Sequence, residues 1–288
     1  MSGQVLGLIL AAALFHAIWN ITAKRVTSDG YPFVWCYVAA GAVIWLPIGI
    51  VLLIRSGGPW TWWLLVAPAV SAVLHIAYSL TLQTGYARAD LSVVYPVARG
   101  TGPLITMAVA VLALGERPGW FAVGGGMLVI LGVVIVAAGT RGHATSAQRA
   151  ITGLQYGGAT GCAIAAYTLW DDHGMTALAL APIPYFSLNT AFEALLLSPG
   201  LRRHPPVLNT LRRHWREVLT VGVLSPLAYI LVLQAMRTTS VALVAPARES
   251  SIVVGSLLAW WLFKEPNPLR RLLGAAVVLA GIALIVRV

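Results

Sequence analysis

"YSLTLQTGYARADLSVVYPVARGTGPLITMAVAVLALGERP", residues 78–118, has a second copy in the same chain, "YILVLQAMRTTSVALVAPARESSIVVGSLLAWWLFKEP", residues 229–266. Tyr78 answers Tyr229, Gln83 answers Gln234, Pro96 answers Pro246, Arg99 answers Arg248 and Glu116 answers Glu265. Beyond the quoted stretches, Gly125 and Gly132 answer Gly274 and Gly281. The spacing drifts only from 151 to 149 residues, so two one-residue gaps align the copies. The chain is an internal duplication about a point near residue 145, with halves 1–145 and 146–288.

Each half is built for lipid. The 288 residues are 59% hydrophobic and 10% charged, with a mean hydropathy of +0.83. Soluble domains carry about a quarter charged residues. A membrane helix needs roughly 20 apolar residues to cross a core of about 30 Å. Ten such runs are present, near 4–23, 33–54, 62–84, 91–114, 120–139, 152–170, 177–198, 217–236, 241–263 and 269–287. The expected fold is an all-α integral membrane protein of ten transmembrane helices, five per half. The first run lacks the positive n-region of a signal peptide, and removing it would leave four helices against five. An odd number of spans per half forces the second half to enter from the opposite face, so the repeats are inverted, a recurring transporter plan.

The net charge of +10 does not point to nucleic acid, because the basic residues sit between the apolar runs. There Lys and Arg set orientation and meet anionic headgroups. Thirteen fall on one side: Lys24, Arg25, Arg88, Arg141, Arg149, Arg202, Arg203, Arg212, Arg213, Arg216, Lys264, Arg270 and Arg271. Four fall on the other: Arg55, Arg117, Arg237 and Arg287. The positive-inside rule puts the 200–217 loop in the cytoplasm and both termini outside a bacterial inner membrane. Trp60, Trp62, Trp63, Trp120, Trp215, Trp260 and Trp261 fall at helix ends and read as interfacial anchors.

The remaining two of the 19 basic residues, Arg99 and Arg248, lie inside apolar runs. Arg99 is the ninth residue of its helix, about 12 Å deep at 1.5 Å per residue. A charge there costs roughly 2.5–3.5 kcal/mol on insertion scales. Glu249 lies at the matching depth on the opposite helix, so a pair of Glu249 with Arg99, Arg248 or both is expected, as a structural or gating lock. Alternatively Arg99 or Arg248 faces a cavity and meets a substrate carboxylate. The crowding of Pro96, Gly100, Gly102 and Pro103 suggests backbone broken at membrane depth, which is tolerated where it lines a cavity. His75, Tyr78 and Ser79 share one helical face; His16, Trp19 and Asn20 share another. With Tyr95 and Tyr229 they are the candidate substrate-lining residues. Asp171 and Asp172 are expected at the exposed end of the sixth helix.

Several classes are set aside. "GGGMLVILG" lacks the Lys and Ser/Thr of a phosphate loop, and its glycines read as packing positions. No H-E-x-x-H occurs, and neighbouring Asp171 and Asp172 point apart on a helix, so no catalytic pair, metal site or cofactor is read. Cys36 and Cys162 fall inside predicted helices rather than in a disulfide framework.

The two five-helix halves, each with its proline–arginine block and a glutamate at the next loop, resemble the EamA branch of the drug/metabolite transporter superfamily. "LFHAIWNITAK" (14–24) and "YPVARGTGP" (95–103) resemble one bacterial subgroup of it. The resemblance implies a secondary transporter whose cavity is lined chiefly by helices 3, 4, 8 and 9, with 5 and 10 at the side. It implies export of small metabolites, with neutral and aromatic amino acids foremost and drugs, nucleosides or sugar derivatives as alternatives. A lipid flippase and an intramembrane enzyme are the competing classes. The expected partners are a small-molecule substrate and the lipid bilayer, the chain acting as a monomer.

Overall fold

The computed structural model describes residues 1–26, 30–57, 60–89, 91–137, 147–203, 207–251, 253–254 and 268–286. These residues are helical almost throughout. The elements are α1 (Gly3–Lys24), α2 (Gly30–Ser56), α3 (Trp63–Arg88), α4 (Leu91–Leu112), α5 (Trp120–Ala137), α6 (Ala147–Thr176), α7 (Pro182–Leu197), α8 (Val207–Met236), α9 (Val241–Arg248) and α10 (Pro268–Val286). Four of them, α1, α2, α3 and α8, are individually long and apolar enough to cross a membrane; α5 and α10 are apolar but shorter. The outside of the bundle is oily: Val43, Leu112 and Phe121 are exposed. The inside is dominated by small and β-branched residues, among them Ala67, Ala110, Val241 and Ala247.

The contacts obey the duplication. Exchanging each helix for its counterpart turns the α1–α8 contact into α6–α3 and the α2–α8 contact into α7–α3, and leaves α2–α7 and α5–α10 unchanged; all six are present. The glycines show the same exchange at atomic scale. A Cβ on Gly125 would lie 2.6 Å from the carbonyl oxygen of Gly281, and one on Gly132 would lie 2.8 Å from that of Gly274. In sequence Gly125 answers Gly274 and Gly132 answers Gly281. Each glycine therefore packs against the partner of the other, which is the signature of antiparallel helices about a two-fold axis. The close approach of the backbones is what small residues permit.

Three expectations are corrected. The sixth helix does not stop at 170 but runs to Thr176. The 200–217 segment is not open loop: Ser198–Arg203 is a 3₁₀ turn and α8 starts at Val207, kinked at His214. Its Leu208, Leu211 and Trp215 are spaced along a helix among Arg212, Arg213 and Arg216, so the arginines hid a helical period. The crowded segment of α4 is unbroken helix. Its Gly102 is instead where α6 presses in, since a Cβ there would meet Ile164. The break at membrane depth lies in α9, which ends at Arg248; the Glu249 amide then donates to the Pro246 and Ala247 carbonyls in a tight turn. Helix resumes at Ser250 and Ser251. Trp260, Trp261, Lys264 and Glu265 lie outside the described residues.

Candidate functional site

The break in α9 delivers a carboxylate to α4. Glu249, 1% exposed, places Oε2 2.9 Å from Arg99 Nε, and its Oε1 stands 3.7 Å from Arg248 Nε. Arg99 Nη2 also donates to Ser251 Oγ at 3.4 Å. Two guanidinium groups thus share one carboxylate in a buried setting, Arg99 being 9% and Arg248 7% exposed. The cluster retains one positive charge. Nη2 of Arg248 is buried without a hydrogen-bond partner among the described residues. A buried cation in this state favours an anion.

Arg248 leads directly into an aromatic enclosure. Its guanidinium carbon lies 5.8 Å from the ring centroid of Tyr167 on α6, a cation–π contact. Tyr167 stacks on His75 of α3 at 4.1 Å, and Tyr78 meets it edge-on at 5.6 Å. Tyr229 of α8 stands 5.3 Å from His75 and 4.8 Å from Phe186 of α7. His75 is held by α3 itself: Nδ1 lies 3.0 Å from the Ser71 carbonyl, which can only accept, so Nδ1 carries the proton and Nε2 is the acceptor of the neutral ring. Ser71 is in turn fixed by Asn189 of α7, whose amide donates to its hydroxyl at 3.0 Å. Five helices meet here, α3 from the first half and α6, α7, α8 and α9 from the second.

Below the enclosure lies a residue whose expected position is overturned. Asp171 is fully buried, because α6 continues past Trp170 and carries it between α7 and α8. The Tyr185 hydroxyl donates to Oδ1 at 2.7 Å and the Tyr229 hydroxyl to Oδ2 at 2.6 Å. Asp172 is buried as well. Trp170 donates its Nε1–H to the Ala67 carbonyl at 2.9 Å, tying α6 to α3.

The candidates divide accordingly. His75, Tyr78, Tyr229, Arg99, Arg248 and Glu249 come together. Tyr95 is within electrostatic range of Arg99 and Glu249, and His16 of Arg99 and Arg248. Trp19 packs edge-on against His16 at 4.9 Å, its Nε1 buried without a partner among the described residues. Asn20 stands apart: it is exposed and its amide donates to the His16 carbonyl at 2.7 Å. Tyr167, Asp171 and Tyr185 were not among the candidates. For two of them the signal was available: the 151-residue spacing carried back to α1 aligns His16 with Tyr167, Trp19 with Trp170 and Asn20 with Asp171.

The other conserved feature of the repeat is a cap. Glu116, beyond α4, accepts from the Ser240 hydroxyl at 2.5 Å and from the Ala242 amide at 3.2 Å. A carboxylate at the first turn of α9 satisfies an amide left open by helix geometry and suits the helix dipole.

The fold has known counterparts. The EamA-like transporter family matches the chain twice, over residues 4–138 and 152–287. The chain belongs to that family. As an EamA-like transporter it is a multi-pass membrane protein with two family repeats, and the family activity is transport. A crystal structure sharing 14% sequence identity superposes with a TM-score of 0.77, covering 99% of this chain and 98% of its own, which shows a shared fold. None of the curated proteins compared with this EamA-like transporter matches it.

Proposed function

We propose that the protein is a secondary transporter of the bacterial inner membrane that exports small metabolites, neutral and aromatic amino acids foremost. It works by alternating access in a bundle built from inverted repeats 1–145 and 146–288, each supplying five of ten membrane crossings. The termini face outward, the 200–217 segment faces the cytoplasm, and the chain acts as a monomer. The observation that carries the substrate class is the meeting of an aromatic enclosure with a cationic excess. His75, Tyr78, Tyr167 and Tyr229 offer ring faces. Arg248 offers an unsatisfied guanidinium arm to a carboxylate. An amino acid with a planar side chain uses both.

Ring stacking contributes roughly 0.5–1.5 kcal/mol beyond area burial, a preference of a few-fold to about tenfold. The preference is therefore graded: phenylalanine, tryptophan and methionine leave faster than aspartate or lysine. The test is counterflow in proteoliposomes with labelled solutes. Tyr78→Ala is expected to flatten the ranking more than it slows transport. Movement of a nucleoside or cationic drug, with no neutral amino acid moved, would overturn the substrate class and leave the architecture intact.

A further inference from the structure

Asp171 plays no part in holding the Arg99–Glu249–Arg248 cluster, and it is fully buried with no Lys or Arg within ion-pair distance among the described residues. Its only direct partners there are two phenols, both hydroxyl hydrogens pointing at it. Two neutral donors leave a full negative charge uncompensated at membrane depth, a costly state unless the charge is taken up by a cation. The groups facing Asp171 from each packed element place no fixed positive charge within ion-pair distance of it among the described residues. α3 contributes His75, whose Nδ1–H is already committed to Ser71. α7 contributes Tyr185 and Glu193, and α8 contributes Tyr229. α6 itself contributes Asp172, which in turn faces Glu116 beyond α4. From α9, Arg248 reaches Tyr229 and Tyr167 and shares Glu249 with Arg99, and no ion pair joins it to Asp171 among the described residues.

Resting on the transporter reading, we propose that Asp171 is a proton-binding site whose occupancy is communicated to α3 and α8 through Tyr185 and Tyr229. The hydrogen-bond geometry supplies the mechanism. In the present arrangement both tyrosines donate and Asp171 only accepts. A proton taken from water onto Oδ1 makes the acid a donor to the Tyr185 oxygen. The Tyr185 hydrogen must then turn away, and a second acceptor stands ready: the Ala67 carbonyl of α3, 3.4 Å from the hydroxyl. That carbonyl also holds Trp170, so α3 feels the change directly. On the other oxygen, Tyr229 is a wall of the aromatic enclosure, packed against His75. Tyr229 is half-buried and bonded to the carboxylate, which links Asp171 to the enclosure. The device occurs once. The counterpart of Asp171 in the first half is Asn20, an amide that cannot carry a proton at physiological pH, and the counterpart of His75 is Pro226.

Infrared titration of the protein in liposomes between pH 4 and 10 tests the site without any solute. A protonated-carboxyl signal that fades as pH rises is expected to lose one component in Asp171→Asn, a component that is retained in Asp171→Glu and still present in Asp172→Asn and Glu193→Gln. In Tyr185→Phe that component should persist to higher pH by about one unit or more, since a donor to the ionised form is lost. Identical titrations of wild type and Asp171→Asn, with the Tyr185→Phe titration also unmoved, would overturn the proposal. In a second arm, Asp171→Asn should lose L-phenylalanine accumulation driven by an imposed pH gradient by a larger factor than it loses L-phenylalanine counterflow. Wild-type counterflow with no response to the gradient would overturn coupling. The Asp171 component without any phenylalanine movement would uphold the site and overturn the amino-acid reading instead.

Discussion

The residue that decides the site is Glu249, because two arginines depend on it. Removing Glu249 strands both guanidinium groups; removing Arg99 leaves a neutral Arg248–Glu249 pair. Breaking a buried pair from one side costs about 3–5 kcal/mol, much of it the uncompensated charge. Glu249→Gln should therefore lower the melting temperature in detergent and the folded yield more than Arg99→Gln does. The double variant Arg99→Gln/Glu249→Gln should be less damaged than Glu249→Gln alone; additive losses would contradict the shared-carboxylate geometry. The arginines and Glu249 were legible in sequence because a charge in an apolar run has no innocent explanation. Tyr167 was not: a tyrosine among alanines and threonines on α6 has no local signature, and it becomes a hub only when α3, α8 and α9 converge on it. Asp171 was misplaced for a different reason. Charges commonly mark helix ends, and the apolar period that would have carried α6 beyond it is interrupted by Asp172, His173 and Gly174.

At the scale of elements, a second glycine seam lies between α4 and α6. Gly153, Gly157 and Gly161 recur every four residues along one face of α6, and a Cβ on any of them would collide with α4: at Val93, Val97 and Thr101 in turn. Adjacent Gly158 faces open space. Gly157→Ala is expected to destabilise the protein by about 1–3 kcal/mol, the usual cost of overpacking, whereas Gly158→Ala should be neutral. Thermal unfolding of the two variants side by side separates packing from a general effect of losing glycine. Element existence was readable from hydropathy, and the duplication supplied the pairing plan. Element ends were less readable where polar residues are buried or arginines line a helix, as in α6 and the start of α8. The break in α9 could be anticipated from Pro246, but the same argument failed for α4, whose glycines accommodate a neighbour instead of a bend.

For the whole molecule, the duplication in sequence is not a division in space. The main helix contacts, α5–α10, α4–α6, α2–α7, α1–α8, α2–α8 and α3–α6, all join one half to the other. Sliding 1–145 as a block past 146–288 would break every one of them, including the glycine seams that tolerate no gap. The helices that pack together across the repeat are mixed: α3 and α4 with α6 on one side, α8 and α9 with α1 on the other, exchanged by the two-fold. The aromatic enclosure lies on the boundary between these groups, since His75, Tyr78 and Tyr167 belong to the first and Tyr229 and Arg248 to the second. A testable consequence concerns the halves themselves. Fragments 1–145 and 146–288 each lack the partner surfaces for most of their helices, and without a hydrophobic drive between helices in lipid, packing supplies the stability. Expressed alone, either fragment should fail to give a monodisperse species in detergent. Expressed together from separate genes, they should co-purify in a one-to-one complex and restore solute efflux to a substantial fraction of the intact chain. A single fragment that is stable and monodisperse by itself would show that the halves fold as independent bodies, and the mixed-bundle account of alternating access would have to be abandoned.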